Sequence, residues 1–325
     1  MSGDAGTVGG FLALELPTLR GELPPPSATL FRSGRACLRA ILESERPRRF
    51  LAPYYVCDAA IAPALALGMP VIFYEIDREL SPLLPETRSD DAILLVDYFG
   101  VGATAISRYV SLPGVVIVDQ TQALFARGPE SAWRFTSARK WFGVPDGGFL
   151  WGPRALPAQA PRPIASLPTH LVERRWGDPA RAYGAYLSAE ANFDTEIAPI
   201  STTSVSLLGG VDADLVQVRR RRNFEILHSR LAAHNTLETT LPVDGAPFCY
   251  PFLPQAELSR EALAREGIFV PQFWADCLAR ERSGFDWEKD LSRRLLPLPL
   301  DHRYVDSDML RVAERVEHLI RQVAG

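Results

Sequence analysis

The stretch that most constrains this chain runs from Gly114 to Leu150. It opens with Val115, Val116, Ile117 and Val118, an unbroken β-branched run that ends in Asp119. A run without polar alternation predicts a parallel strand covered on both faces. Gln122 follows in the next turn. A second short run, Trp133 to Ser137, leads to Lys140, then to the turn Gly143-Val144-Pro145-Asp146-Gly147-Gly148 and a further apolar run.

The flanking sequence gives that strand neighbours. Ser33 is placed to cap a helix over Ala36–Leu42. Phe50–Tyr54 reads as a strand, and Asp58–Leu67 as a helix closed by Gly68. Val71–Ile76 and Ala92–Tyr98 read as strands, with a short helix over 104–111 before the run at 115–119. Repeated β-α alternation predicts a mostly parallel sheet covered by helices. Ligands in such sheets bind outside the carboxyl ends of the strands, where Asp119 falls. Residues 1–32, rich in Gly and Pro, read as an N-terminal arm with a short strand at Phe11–Leu16. Residues 33–205 form the large α/β domain. Within it, 153–168 is a proline-rich excursion and 171–193 is helical. The cluster Ser201-Thr202-Thr203-Ser204 precedes a long helix through Leu231. Residues 206–325 comprise that connecting helix and a smaller α+β domain. Its expected parts are Ala246–Leu253, a helix over Ser259–Glu266, Ile268–Val270, and a last helix over 307–323 capped by Ser307.

An acid at a strand end, then a hydroxyl and a lysine after the next strand, and then a glycine turn, match the needs of pyridoxal phosphate. That cofactor needs an amine for its aldehyde, a carboxylate for its ring nitrogen and donors for its phosphate. Of the 35 basic residues only Lys140 and Lys289 are lysines. Arginine stays charged and cannot take an aldehyde, so a lysine kept at a strand-loop junction points to chemistry; the plain alternative is a surface cation. Ser33-Gly34-Arg35 at a helix start offers free N–H groups to a phosphate, or simply a cap. Tyr54, Tyr55 and Cys57 end the second strand, where an aromatic can stack on a flat ring or pack in the core. Trp141 and Phe142 read as packing residues. Arg303 can reach a substrate carboxylate as a fork donor, or form a structural ion pair.

A rival lies in the same region. Gly100-Val-Gly102-Ala-Thr-Ala105 matches G-x-G-x-x-A and follows a strand, with Asp119 ending the next one. Alone it predicts an NAD-linked oxidoreductase using Gly100, Gly102 and Asp119. It sits mid-sheet, however, and gives no task to Lys140 or the 143–148 turn. No phosphate-loop GxxxxGK[ST] occurs.

A net charge of −4 points away from a nucleic-acid partner. The basic run Arg219–Arg222 reads as an exposed helix face. Cys37, Cys57, Cys249 and Cys277 are widely spaced, which predicts reduced thiols in a cytoplasmic setting. The five histidines show no metal-site spacing. No apolar span or basic-then-apolar N-terminus indicates a membrane anchor or signal peptide.

Together, SGRACLRAIL at 33–42, LAPYYVCDAAIAPALALGMPVIFYEID at 51–77, VDYFG at 96–100, VIVDQTQALF at 116–125, SARKWFGVPDGG at 137–148, YPFLP at 250–254 and LPLPLDHRYVDSDM at 296–309 resemble the DegT/StrS-type aminotransferases. These are pyridoxal-phosphate enzymes of fold type I, and the chain is most similar to their short members. The resemblance implies that Lys140 holds the cofactor and that Asp119 pairs with its ring nitrogen. Gln122 would face its ring hydroxyl side, and Gly34, Arg35 and Ser137 would hold its phosphate, with Thr136 the alternative to Ser137. By register the ring-stacking residue falls on Cys57, unless Tyr55 takes that role. The family's Asn-Arg segment, normally supplied by a neighbouring subunit, is replaced near Ser201–Ser204. The resemblance further implies an amino acid donor, a nucleotide-linked keto sugar as acceptor, and a homodimer with the site near its interface. Elimination or lyase chemistry on the same fold stays open, although the family's dehydratase branch carries histidine where this chain has Lys140.

Overall fold

The computed structural model describes residues 8–10, 21–101, 106–164, 166–191, 193–241, 243–255 and 257–324. The expected strand at Phe11–Leu16 and residues 102–105 of the glycine fingerprint lie outside the described residues.

The run at 115–119 is the centre of an eight-stranded sheet in the order β2-β9-β8-β7-β6-β3-β4-β5. In chain order its strands are β2 (Thr29–Phe31), β3 (Arg49–Pro53), β4 (Val71–Ile76), β5 (Pro82–Leu83), β6 (Asp91–Val96), β7 (Val115–Asp119), β8 (Trp133–Ser137) and β9 (Gly148–Trp151). The pairs β3–β4, β3–β6, β6–β7 and β7–β8 are parallel. Strand β9 runs antiparallel to both β8 and β2. All six residues of β6 and the last four of β7 are buried, as a strand covered on both faces requires. The chain passes from β3 to β4 and then returns to the other side of β3 as β6. That reversal opens a crevice at the carboxyl ends. Strand β2 belongs to this sheet, although its residues read as part of the arm; three residues after Pro24-Pro25-Pro26 are too few to show a period.

Helix α1 (Gly34–Glu45) starts as expected. Ser33 Oγ accepts the Ala36 N–H at 3.1 Å. Its Ala36, Cys37, Leu38, Ile41 and Leu42 face the core. Helix α2 (Asp58–Ala66) is followed by Gly68 at φ 67°, the left-handed position that favours glycine after a helix. Two expected long helices are each broken. Residues 171–193 fall into α3 (Thr169–Trp176) and α4 (Pro179–Ala191), parted at Gly177, with proline at the first helical position of α4. The segment after Ser201 divides into α5 (Thr202–Leu208) and α6 (Ala213–Leu231). The break falls at Gly209-Gly210, and Asp212 caps the new start. Of the short helix expected over 104–111, Ile106 is helical and a 3-10 turn follows at Ser107–Tyr109; residues 104 and 105 lie outside the described residues.

A second core lies along α6. Phe224, Leu227 and Leu231 pack with β10 (Tyr250–Phe252), β12 (Leu296–Leu298) and the last helix, α10 (Asp306–Ala324). Helix α10 begins one residue before the expected cap Ser307. Asp308 reaches back instead to the Val305 N–H, at 3.0 Å. Between these elements lie α7 (Arg260–Arg265), β11 (Ile268–Phe269), α8 (Asp276–Ala279) and α9 (Asp286–Arg294). Strand β11 pairs in parallel with β1 (Val8–Gly9).

The glycine turn before β9 has a steric reason. A Cβ on Gly148 would fall 2.8 Å from Cys37 Sγ and closer still to the Ser33 carbonyl. Glycine therefore lets β9 pass directly beside the start of α1. Gly148→Ala is expected to destabilise the fold by about 3 kcal/mol, the upper end of overpacking. Gly184→Ala, at an exposed helical position with nothing within 4 Å, should be neutral or slightly stabilising. Thermal melts of the two variants check this contrast.

Candidate active site

The carboxyl ends of β3, β7 and β8 and the start of α1 open onto one cleft of about 1430 Å3. Gly34, Arg35, Cys57, Asp119, Gln122, Ser137 and Lys140 all line it. Residues spread over a hundred positions of sequence thus meet because parallel strands end on the same side.

Asp119 ends β7 and is 5% exposed. Its Oδ1 accepts the Thr121 N–H at 2.8 Å, which leaves Oδ2 to face a donor in the cleft. Gln122 turns its Oε1 to the Phe99 N–H at 2.9 Å. Phe99 is a fully buried aromatic at φ 61°, an outlier for a bulky residue that surrounding bonds must hold. Gln122 provides one of these bonds, and its amide nitrogen remains as the end that can donate to a ligand. Lys140 lies in a 3-10 turn after β8, and its Nζ donates to Thr121 Oγ1 at 2.8 Å. Trp141 Nε1 donates to the Thr121 carbonyl at 3.0 Å.

Strand alternation separates Thr136 from Ser137. Thr136 is fully buried and its hydroxyl donates to the Gln120 carbonyl at 2.8 Å. Ser137, one residue on, faces the cleft. Gly34 sits against the cleft floor. A Cβ there would lie 3.4 Å from the Phe135 ring and 3.5 Å from Thr121 Cγ2. The α1 N-terminus beside it presents free N–H groups and the positive end of the helix dipole. Arg35 carries its guanidinium to the rim, 5.9 Å from the Phe193 ring, which Arg139 covers at 4.0 Å. Arg139 in turn pairs with Glu190 of α4.

Two expected site residues lie elsewhere. Tyr55 is fully buried behind the cleft, stacked on Tyr98 with ring centroids at 5.7 Å and bonded to the Phe273 carbonyl at 3.3 Å. Its ring is core, so the half-buried Cys57 holds the cleft position at that strand end. Burial pushes the Cys57 thiol up, with the Lys140 charge pulling back; it is a neutral thiol at neutral pH. Arg303 makes a fork with Asp301 of its own turn, Nε to Oδ1 at 2.7 Å and Nη2 to Oδ2 at 2.8 Å. That is the structural ion pair rather than a substrate contact. Burial alone would raise the Asp301 carboxyl, but the Arg303 charge and hydrogen bonds, with Arg220 and His302, hold it well below the usual carboxylate range.

The Ser201–Ser204 cluster also has a local task. Ser201 Oγ donates to Asp146 Oδ1 at 2.9 Å, and Ser204 Oγ accepts the Asp146 N–H at 3.1 Å. It ties α5 to the 143–148 turn within one chain. Gly100, at φ 70°, packs on its own backbone: a Cβ would fall 2.7 Å from the Gln122 carbonyl and 2.9 Å from that of Ala246. It is not on the cleft wall, and Gly102 lies outside the described residues. The dinucleotide reading therefore loses its first glycine.

Two residues of the cleft escaped the sequence reading. Thr121 stands between Asp119 and Gln122 in sequence and is bonded to Asp119 and Lys140, but a lone threonine carries no spacing signal. Arg220 is 1% exposed. It lies 4.3 Å over the Trp141 ring and donates to the Phe248 carbonyl at 2.9 Å. The basic run is therefore not a uniformly exposed face. Arg220 shares a helical stripe with Asn223, Phe224 and Leu227, a signal present in the 3.6-residue period. Among the described residues no group of three His, Cys, Asp or Glu is placed to hold a metal, and no helix is long and apolar enough to cross a membrane.

No protein-family model and no curated protein sequence matches this chain. Solved structures do. The chain is similar to the aminotransferase TlmJ from Streptoalloteichus hindustanus, at 16% identity and TM-score 0.66 over 92% of this chain and 87% of that one. Spr1654 from Streptococcus pneumoniae, assigned as a sugar aminotransferase and solved in a PMP form, matches at 14% and TM-score 0.64 over 92% and 87%. A DegT DnrJ EryC1 StrS aminotransferase from Brucella abortus matches at 14% and TM-score 0.59 over 90% and 85%. These likenesses establish a shared fold, the fold-type I architecture expected from the sequence.

Arg303→Leu is expected to cost stability, about 3 kcal/mol at pH 7, because it removes the main counter-charge of the buried Asp301 carboxylate. The Asp301 carboxyl is lowered in the folded state, so the pair's contribution is present above the unfolded value near pH 4 and fades as pH falls below it. Chemical denaturation of parent and variant at pH 7 and pH 3 should show the difference shrinking at the lower pH.

Proposed function

We propose that this protein is a pyridoxal 5'-phosphate-dependent aminotransferase that moves an amino group from an amino acid donor to a keto acceptor. The observation that carries the reading is the meeting of Asp119, Gln122, Ser137, Lys140 and the Gly34 helix start on one cleft wall. The residues present fit the cofactor. A carboxylate, an amine and a helix N-terminus line the same space, and Gly34 keeps the floor free of a side chain.

When bound, the cofactor supplies an aldehyde for the donor's nitrogen and an electron sink for the bond broken at the donor's Cα. Lys140 would hold the aldehyde, and its free amine would be the base for the donor's Cα proton. Asp119 favours the protonated ring nitrogen by its opposite charge. The N–H groups of Gly34 and Arg35 and the Ser137 hydroxyl hold the phosphate. Gln122 would donate to the ring hydroxyl, and Cys57 would cover a ring face with a smaller group than an aromatic. The acceptor class we favour is a nucleotide-linked keto sugar, supported by the sequence resemblance and by the sugar aminotransferase among the fold neighbours. We further propose a cytoplasmic homodimer with the site near the subunit interface.

Protein incubated with pyridoxal phosphate and freed of excess should be yellow, and glutamate alone should bleach the band and release 2-oxoglutarate. Lys140→Ala should lose the release by about 10³-fold or more, the scale for removing a nucleophile that is also the base. A colourless protein that the cofactor cannot restore would overturn the proposal. Release of ammonia instead of an aminated cofactor would turn it to elimination. A screen of keto sugar nucleotides against the aminated protein tests the acceptor class.

A further inference from the structure

Thr121 is held at every polar atom. Its N–H donates to Asp119 Oδ1 at 2.8 Å. Its carbonyl accepts from Trp141 Nε1 at 3.0 Å. Its Oγ1 accepts from Lys140 Nζ at 2.8 Å. Its Cγ2 lies 3.5 Å from where a Cβ on Gly34 would stand. The residue is 7% exposed, so these contacts are made away from bulk water. A β-branched side chain has few χ1 choices. In the rotamer the side chain adopts, the hydroxyl is directed at Lys140.

The geometry points to Thr121 as a positioning residue for Lys140. It joins the carboxylate and the amine through one residue. A lysine ammonium on its four-carbon stem otherwise samples many positions, and a base displaced by about an ångström loses much of its effect. The Thr121 hydroxyl gives Nζ one defined place whenever the amine is not joined to another group. Trp141, the residue after Lys140, is bonded to the same threonine, so backbone and side chain of the lysine turn are held from one point. The inference rests on reading the cleft as an aminotransferase site, but its structural half is measurable without the cofactor.

The chain contains two lysines, Lys140 and Lys289, so Lys289 is an internal reference. The cofactor-free full-length protein is methylated with formaldehyde and cyanoborohydride for short times, and both lysine peptides are quantified by mass spectrometry. In Thr121→Val, which keeps the shape and removes the acceptor, the Lys140-to-Lys289 labelling ratio should rise at least three-fold. Thr121→Ser should stay within two-fold of the parent. In the cofactor-loaded protein, the valine variant should lower the donor half-reaction rate at least ten-fold with the donor KM within two-fold, and serine should restore most of it. A labelling ratio that is unchanged in the valine variant, or that rises equally in both variants, overturns the inference. A parent protein that takes up no pyridoxal phosphate overturns the functional reading instead, and the labelling ratio still decides the role of Thr121.

Discussion

Everything at the site depends on the parallel register of β6, β7 and β8. Val96 stands beside Asp119, and Asp119 beside Phe135. Side chains alternate along a strand, so a slip of one residue would send Asp119 to the opposite face and bring Thr136 in place of Ser137. Such slips are suppressed because both faces of these strands are buried. Each carries apolar residues that a one-step shift would displace from their packing partners. The order of the sheet then does the rest. Strands that run the same way end on the same side, and the turns after β3, β7 and β8 reach one cleft from distant parts of the sequence.

The second constraint is close approach. Strand β9 enters the sheet antiparallel to β8 and passes against the Ser33 turn, which only glycine at position 148 allows. The adjoining Asp146 is tied to Ser201 and Ser204, so the turn, α5 and the start of α1 are packed as one block. On the far wall, Arg220 lies over Trp141 and bonds the 247–248 backbone. The lysine turn is therefore clamped between the sheet and α6. A rigid setting of this kind is what a site acting through geometry and charge requires.

Much of this was legible in the sequence because it rested on strong local signals. The apolar run at 115–118, the Ser33 cap and the Gly68 stop each have one structural meaning. Asp119 and Lys140 stood out because β-α alternation sets parallel strand ends on one side; Gln122 and Ser137 came from the resemblance, which left Thr136 as an alternative. Features that depend on tertiary partners were not. Tyr55 and Cys57 are two residues apart at one strand end. The aromatic cluster of Tyr98 and Trp274, not any local pattern, decides that Tyr55 is core. Arg303 could be assigned only once Asp301 was seen to face it. The breaks at Gly177 and Gly209-Gly210 were written in the sequence, but apolar periodicity continued across them and masked the stops. Thr121 has no signature at all, since a hydroxyl becomes informative only when its partner is known.

The central claim is that Lys140 is the residue that holds the cofactor. Borohydride reduction of the cofactor-treated protein, followed by peptide mass mapping, tests it directly, since the chain has one other lysine. The account predicts a stable pyridoxyl phosphate adduct on the Lys140 peptide and none on Lys289. An adduct on Lys289 alone, equal labelling of both, or no adduct would contradict it.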